Sequence, residues 1–551
     1  MTIKYKNPIL SGFYPDPSIC RTGNDFYLVT STFAYFPGIP VFHSSDLVHW
    51  KQIGSAIDRP GQLCFDGHRI SQGLFAPTIR ENKGTFYIVC TLIDKGGNFI
   101  ITAKDPAGPW SDPVWLEGAQ GIDPSIFFDD NGKVWYCGTR SAPEGEAYPG
   151  NYEIYIYEMD LSLLEQKKNP LIGETKGIWR GALRDVIWPE GPHIYKINGS
   201  YYLLHAEGGT GIDHAVCIAK ADTIQGPWTG KKSNPVITHR HLGRRTKIIN
   251  VGHADLVNDA NGNWWMVMLA SRPINGVCPL GRETFMLPVI WEDGWPCIAT
   301  SSGMIEDQIK VKINIEEVLG NGLNEELTNK NSAVKSIWFY ENSCDHFSGK
   351  LPFHWLVLRM PVKEKDAAFS LKEREGALRL FTKSASTRSL EHPAFTGRRI
   401  RDKDWAFSAL IEFSPKKGSE SAGIILLQSE DYQYRFEIFS DNGSVSLRLI
   451  KASGKEKPDE VIAEKKDAFS DNDGKKIKTI LACQCIDMKL SFFFGKDQYL
   501  LSCAADNADA RILSTDYAGG FVGSLAGVFA TGNGKDTENY ADVLWAEYRG
   551  L

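Results

Sequence analysis

The 551-residue chain has little net charge and no long hydrophobic run. Its 61 Lys and Arg side chains nearly balance its 67 Asp and Glu side chains, which leaves a formal net charge of −6. Such a balance gives no electrostatic reason to expect nucleic acid or an anionic membrane as a partner. No stretch of about 18 apolar residues occurs, so we also expect no membrane-spanning helix.

The sequence also lacks a leader pattern and a cysteine framework. The first residues, MTIKYKNP, do not include the apolar segment that a signal peptide needs. The 11 cysteines are odd in number and scattered, and none forms a Cys-x-x-Cys pair. We therefore expect a cytoplasmic protein with reduced thiols, without disulfides or a zinc site.

Long amphipathic helical patterns are scarce, whereas short aromatic and β-branched runs bounded by Gly, Asn and Asp are common and indicate β-strands. In the first 300 residues a polar turn with Asn or Gly is followed five times by a strand that begins with bulky residues. Asn-Gly turns suit the positive φ angles of tight hairpins. The bulky positions are Tyr27, Tyr87, Trp135, Tyr202 and Trp265, and they lie 48 to 67 residues apart.

Each turn is preceded by a second strand-like stretch, so the repeating unit is a hairpin. Five such β-repeats predict an all-β fold whose first domain, residues 1–305, is a five-bladed β-propeller. The first strand of a propeller blade lines the central axis. We therefore expect the starts of the five stretches to converge there: Asp16, Ala76, Asp123, Glu190 and His253.

Three carboxylates and one imidazole would then meet at one channel mouth. Taken singly, an Asp-Pro pair is most often a turn, and a lone histidine is more often a core residue than a ligand. Together they point to function, because several acids in a narrow channel are costly to ionise. A purely metal-binding role is the alternative, although a hard cation usually needs more oxygen ligands than these.

Two carboxyl groups that flank a glycosidic bond are sufficient to hydrolyse it, provided that one is protonated and the other ionised. Glu190 lies in the sequence WPEGP, whose indole and prolines shield the carboxyl and raise its pKa. Asp16 has the shorter side chain and leaves room for a water molecule. We therefore assign Glu190 as the general acid and Asp16 as the general base, with Asp123 orienting Glu190 and keeping its pKa high.

Five sequence motifs stand in order along the chain: NPILSGFYPDPS (7–18), GIDPS (121–125), PEGP (189–192), GHADL (252–256) and LGRETF (280–285). They resemble glycoside hydrolase family 43, in particular its β-xylosidases and α-L-arabinofuranosidases with an added C-terminal β-sandwich. The resemblance implies a five-bladed propeller that acts with inversion, with Asp16 as base, Asp123 as pKa modulator and Glu190 as acid.

The resemblance also implies substrate-binding roles. Arg282 would hold hydroxyl groups of the terminal sugar, and a blade-to-blade salt bridge with Glu283 or a neighbour is the structural alternative. Phe33 and Phe75 would wall the pocket, or else be plain core aromatics. His253 would lie on the axis below the sugar. Relatives can hold a calcium ion near that histidine, but one imidazole is a poor ligand set for calcium, and we expect no required cofactor.

The second half of the chain predicts a separate β-domain. Residues 306–340 are polar and are interpreted as a linker along the surface. Alternating strands return from about residue 347, so residues 341–551 predict a β-sandwich of the jelly-roll, concanavalin-like type. By resemblance, one loop of this module closes the active site. Phe521 in DYAGGFVGSL (516–525) is the candidate aromatic, with Leu525 as the other register.

The sequence therefore predicts an inverting, exo-acting glycoside hydrolase that releases terminal β-D-xylose, α-L-arabinofuranose or both from xylo-oligosaccharides and arabinoxylan fragments. The expected partner is a small oligosaccharide, and homo-oligomerisation stays open. The alternative is a non-catalytic propeller that binds glycans, which would present a broad aromatic platform and hydrolyse nothing.

Overall fold

The five predicted hairpins form the inner halves of five antiparallel sheets in the computed structural model. The structure describes residues 2–182, 185–299, 302–312, 342–469 and 476–551. These sheets are the blades of a propeller, and a two-sheet sandwich follows, so the predicted fold class is confirmed. The domain boundaries of the sequence analysis stay predictions.

The strands of residues 2–312 follow one another around the propeller. Their bounds are β1 (Thr2–Lys6), β2 (Ser18–Thr22), β3 (Asp25–Val29), β4 (Tyr35–Phe36), β5 (Gly38–Ser44), β6 (Lys51–Ile57), β7 (Leu74–Asn82), β8 (Thr85–Leu92), β9 (Gly97–Ala103), β10 (Val114–Trp115), β11 (Ile122–Phe128), β12 (Val134–Ser141), β13 (Tyr152–Met159), β14 (Leu171–Trp179), β15 (Glu190–Ile197), β16 (Ser200–Glu207), β17 (Ala215–Ala221), β18 (Thr229–Gly230), β19 (Ile237–Thr238), β20 (Ile249–Asn258), β21 (Trp264–Ser271), β22 (Glu283–Glu292), β23 (Trp295–Ile298) and β24 (Gln308–Lys312). Short 3-10 helices lie at Leu161–Gln166 and Arg240–Leu242.

The blades run in chain order. They contain β2, β3, β5 and β6, then β7–β10, β11–β14, β15–β19 and β20–β23. In every blade the first strand pairs with the second through the predicted turn. A short turn with Asn or Gly thus fixes the register of each inner hairpin.

The N-terminal segment is fixed to the last blade. The Asn7 side chain accepts a hydrogen bond from the Met286 N–H at 3.0 Å and donates one to the Met286 carbonyl at 2.9 Å. Strand β1 pairs with β24, and the buried Tyr5 lies opposite Ile309. Strand β24 lies within residues 306–340, the segment expected to be a linker. Its buried Ile309 lies on the same face of this two-stranded sheet as Tyr5. The rest of that segment, residues 313–340, lies outside the described residues.

A buried carboxylate ties four blades together at the axis. Asp255 of blade 5 is fully buried and accepts hydrogen bonds from Ser18 (2.7 Å), from Arg80 (2.8 and 2.9 Å) and from the Tyr195 hydroxyl (2.5 Å). Burial alone would raise the pKa of Asp255, but the charges of Arg80 and His193 outweigh it and hold that pKa well below the ordinary value. This network lies on the same inner strands that carry the candidate acids.

Replacing Asp255 with Asn is expected to destabilise the propeller by about 3–5 kcal/mol, because Arg80 would lose its buried counter-charge. Thermal and urea unfolding of the full chain measures this change. The exposed Asp222→Asn is the matched control and should leave the unfolding midpoint unchanged. A midpoint for Asp255→Asn equal to that of the control would show that the network does not hold the blades together.

The sandwich consists of two large sheets. Its strands are β25 (Asn342–Asp345), β26 (Trp355–Leu358), β27 (Phe369–Ser370), β28 (Leu378–Phe381), β29 (Ala394–Arg399), β30 (Trp405–Glu412), β31 (Ser421–Leu427), β32 (Tyr432–Asp441), β33 (Ser444–Ser453), β34 (Glu460–Lys465), β35 (Lys478–Ile486), β36 (Lys489–Gly495), β37 (Ser502–Asp509), β38 (Leu525–Thr531) and β39 (Tyr540–Gly550). Short helices occupy Glu364–Asp366, Ala510–Leu513 and Thr515–Ala518. One sheet has the order β27-β28-β39-β30-β35-β36-β37 with β25 beside β39, and the other begins β34-β33-β32-β31-β38-β29-β26.

The second of these sheets ends on a strand of the propeller. Strand β4 pairs with β26, with Val357 opposite Phe36 and Leu358 opposite Tyr35. Nearby, the buried Arg359 donates to the carboxylate of Glu430 at 2.8 Å and to the His68 carbonyl at 2.9 Å. The two domains therefore share one hydrogen-bonded sheet, and the hydrogen bond from Arg359 to the His68 carbonyl joins them beside it.

Two expectations about chain chemistry can be compared with the structure. All 11 cysteines lie among the described residues and are free thiols, as expected. No helix in the described ranges is long and apolar enough to cross a membrane.

Candidate active site

The pocket lies where the five inner strands begin, and a left-handed backbone residue marks each start. These residues are Asp16 (φ 54°), Ala76 (35°), Asp123 (54°), Gly191 (56°) and His253 (45°). In blades 2 to 5 the pairing of the first two strands also shifts register at this point. The irregular backbone turns the side chains at these positions away from the regular sheet and toward the axis.

Glu190 is not the fourth member of this ring, so the expected equivalence of the five strand starts was wrong for blade 4. The equivalent residue is Gly191, which precedes a proline just as Asp16, Ala76 and Asp123 do. A Cβ atom on Gly191 would approach the His253 ring to 3.1 Å, so a glycine there leaves space for the imidazole. Glu190 stands one residue earlier, in the position of Phe75.

Asp16 is held as an ionised carboxylate. It is only 6% exposed, and it accepts hydrogen bonds from Ser31 at 2.6 Å and from Arg282 at 2.9 Å. Burial alone would raise the pKa of Asp16, but the charges of Arg282 and His253 and the Ser31 hydrogen bond bring it below the ordinary value. An ionised carboxylate at this position can take a proton from water.

Glu190 is held in the opposite protonation state. Burial, reinforced by the negative charges of Asp123 and Asp16, raises the pKa of the Glu190 carboxyl well above its ordinary value. Burial also raises the pKa of Asp123, whose carboxylate accepts the Gly191 N–H at 3.1 Å. The chain therefore places an ionised acid and a protonated acid in one pocket, as acid–base hydrolysis requires.

His253 lies between two of the carboxylates, on the axis as expected. Its Nδ1 atom is 3.8 Å from Asp16 and 3.9 Å from Asp123. Ca²⁺ takes six to eight oxygen ligands. The described groups around His253 fit calcium poorly, because Asp16 is already bound by Arg282 and Ser31, and Asp123 by Gly191. We therefore assign no step to a metal ion.

Arg282 is paired with the candidate base and not with Glu283. Besides Asp16, its guanidinium donates to the Thr210 hydroxyl at 3.1 Å. Glu283 is instead bound by Arg272 at 2.7 Å. The Arg282–Asp16 contact is a salt bridge between blades 5 and 1, so the structural alternative holds with Asp16 as the neighbour, and this salt bridge lies inside the pocket. The guanidinium also donates to the Phe521 carbonyl at 3.4 Å.

Three phenylalanine rings form one wall of the pocket. Phe521 comes from the sandwich domain, and its ring centroid is 6.3 Å from that of Phe33 and 5.6 Å from that of Phe75. Its backbone N–H donates to Ser71 of the propeller at 3.0 Å. Leu525, the other register considered, is fully buried in β38. The second domain therefore supplies part of the pocket.

The pocket has a volume of about 280 Å³ and includes residues that the sequence analysis did not single out. Thr210 and His214 follow β16, and the Gly208-Gly209 pair before them is the sequence signal that could have identified this loop. Trp188 was noted only as shielding for Glu190. Ala76, expected at the axis, lines the pocket as well, and the additional lining residues are Ile122, Tyr152, Trp188, Gly209, Thr210 and His214.

Comparisons with known proteins match both domains of the chain. Residues 5–296 match the family model for glycosyl hydrolases family 43, and residues 344–549 match that of the beta xylosidase C-terminal concanavalin A-like domain. A xylosidase/arabinosidase from Butyrivibrio fibrisolvens is 42% identical over 98% of both chains. A non-reducing end alpha-L-arabinofuranosidase from Bacteroides ovatus is 35% identical and covers 99% of this chain and 95% of its own.

A solved structure extends the similarity to the whole fold. Xylan beta-1,4-xylosidase from Bacillus halodurans aligns with 99% of this chain and 100% of its own, with a TM-score of 0.86 and 28% identity. The family model covers more than half of the chain, and the relatives span both domains. The chain therefore belongs to glycosyl hydrolases family 43.

Proposed function

We propose that this family 43 hydrolase is an inverting exo-glycosidase that releases terminal β-D-xylose, α-L-arabinofuranose or both from xylo-oligosaccharides and arabinoxylan fragments. The observation that carries the proposal is the pair of opposite pKa shifts at Asp16 and Glu190. Relatives named for xylosidase and arabinosidase activities support the choice of sugar. The non-catalytic alternative has no support among them.

In the proposed mechanism, Glu190 donates its proton to the glycosidic oxygen as the bond to the anomeric carbon breaks. Asp16 removes a proton from a water molecule whose oxygen forms the new bond on the opposite face of that carbon. The products are the alcohol of the leaving group and a sugar of inverted anomeric configuration. Glu190 is then the carboxylate and Asp16 the acid, and exchange with solvent restores both.

The remaining contacts assign supporting roles. Asp123 keeps a negative charge beside Glu190 and so favours its protonated form. Arg282 stabilises the Asp16 carboxylate, and its guanidinium and the Thr210 hydroxyl face the pocket in which the sugar hydroxyls bind. Phe33, Phe75 and Phe521 cover the apolar side of the sugar. A pocket closed by a loop of the second domain admits a chain end more readily than a mid-chain segment, which supports exo action.

The direct test compares initial rates on an aryl β-D-xylopyranoside and an aryl α-L-arabinofuranoside, with the anomer of the product followed by NMR. We expect hydrolysis of at least one substrate with inversion, and the ratio of rates sets the preference. The same assay after treatment with a chelator should give unchanged rates. Retention of configuration, or folded protein inactive on both substrates, would contradict the proposal.

A further inference from the structure

Trp188 has an unusual backbone and a partly exposed indole at the pocket. Its φ angle is +48°, a left-handed conformation that bulky residues rarely adopt and that persists only where the surroundings impose it. The Trp188 N–H donates to the Gly150 carbonyl at 2.8 Å, which fixes this turn. The residue lines the pocket and is 37% exposed, whereas most aromatic side chains of the propeller are buried.

Two glycines form a slot for the indole. A Cβ atom on Gly209 would lie 2.6 Å from the six-membered ring of Trp188, and one on Gly150 would lie 2.9 Å from its Nε1 atom. Both glycines have positive φ angles, so a side chain at either site would be strained as well as crowded. The indole is therefore supported from the protein side by bare backbone, while its exposed part faces the pocket.

The exposed surface of the Trp188 indole lies in the same pocket as Glu190, where a bound substrate can contact it. The ring of Asp16, Asp123 and His253 and the Phe521 wall surround the site of the terminal sugar, so the leaving group must extend toward the solvent. Glu190 protonates the oxygen between the two parts of the substrate. Trp188 lines the same pocket as Glu190 and its indole is 37% exposed, so it is accessible to the part of the substrate that extends toward solvent.

We propose that the Trp188 indole stacks on the first sugar ring of the leaving group and so makes the enzyme selective for saccharide over small alcohol leaving groups. This inference rests on the proposed function. A flat aromatic surface suits the apolar face of a pyranose ring, and a rigid indole loses little conformational entropy on binding it. A methyl group in the same place covers too little of the indole to gain from it.

The test compares two substrates with the same terminal sugar and leaving groups of similar acidity: a disaccharide and the methyl glycoside. Both need protonation by Glu190, but only the disaccharide offers a second ring. For Trp188→Ala we expect the ratio of kcat/KM on the disaccharide to kcat/KM on the methyl glycoside to fall by about tenfold or more. Any loss that comes from weaker shielding of Glu190 affects both substrates alike and leaves this ratio unchanged. Trp188→Phe should recover most of the loss.

The control is Tyr499→Ala, which removes an 84% exposed aromatic from the sandwich domain and should change neither rate. Equal losses of Trp188→Ala on both substrates would mean that the residue acts by positioning Glu190, and would overturn the stacking role. Unchanged rates on both would overturn it as well. Wild-type protein inactive on both substrates would refute the proposed function, and the stacking role with it. Melting temperatures check that each variant is folded.

Discussion

Glu190→Gln is expected to lower kcat on a disaccharide by about 10²–10⁴-fold, the usual contribution of a general acid. Glutamine is of similar size but cannot donate an acidic proton to the leaving oxygen. Because the wild-type pKa of Glu190 is raised, the protonated form persists to higher pH, and the rate falls only as pH rises past that value. This basic limb of the pH–rate profile should disappear in the variant.

The leaving group provides an internal control for this prediction. A glycosyl fluoride needs little protonation, so Glu190→Gln should hydrolyse it at a rate much closer to that of the wild type. The exposed Glu174→Gln is the matched control and should behave as wild type on both substrates. An equal loss on disaccharide and fluoride would contradict the role of Glu190 as the acid.

Asp16→Asn is expected to lower kcat by about 10²–10⁴-fold on every substrate, fluoride included, because every substrate needs the activated water. The amide oxygen can still accept the hydrogen bond from Arg282, and the amide NH2 group can donate to the Ser31 hydroxyl, so the fold around it should persist. In the wild type the pKa of Asp16 is lowered, so the base stays ionised at acidic pH and the acid limb lies below the ordinary aspartate range.

Initial rates on both substrates, with Asp222→Asn as the control for a surface carboxylate, measure this effect. A loss confined to the disaccharide would make Asp16 a second acid and would reverse the assignment. Together the two variants separate the roles: one is sensitive to the leaving group and the other is not.

The sequence predicted the propeller because local signals determine its repeating unit. A turn with Asn or Gly between two alternating strands specifies a hairpin, and five copies at similar spacing specify the ring. The repeat also predicted correctly that Asp16, Asp123 and His253 lie close together. It misplaced Glu190 by one position because spacing alone does not reveal that Gly191, and not Glu190, adopts the left-handed conformation.

Contacts between distant parts of the chain were harder to predict. Strand β4 has only two residues, and its partner β26 follows more than 300 residues later, so no local pattern marks the pair. The pairing of Arg282 with Asp16 likewise depends on how blades 1 and 5 meet. Trp188 was missed as a pocket residue because its left-handed turn depends on Gly150 and Gly209, which are remote in sequence.

The wall contributed by Phe521 also has a consequence for protein synthesis. Domains generally fold as the chain emerges from the ribosome, with the N-terminal domain first. The propeller residues emerge first, but one side of the pocket comes from Phe521, which follows the last blade strand, ending at Ile298, by about 220 residues. A nascent or prematurely terminated chain thus carries both acids without the closed sugar site. The closed sugar site therefore arises only after the sandwich domain has been synthesised and has folded onto the propeller.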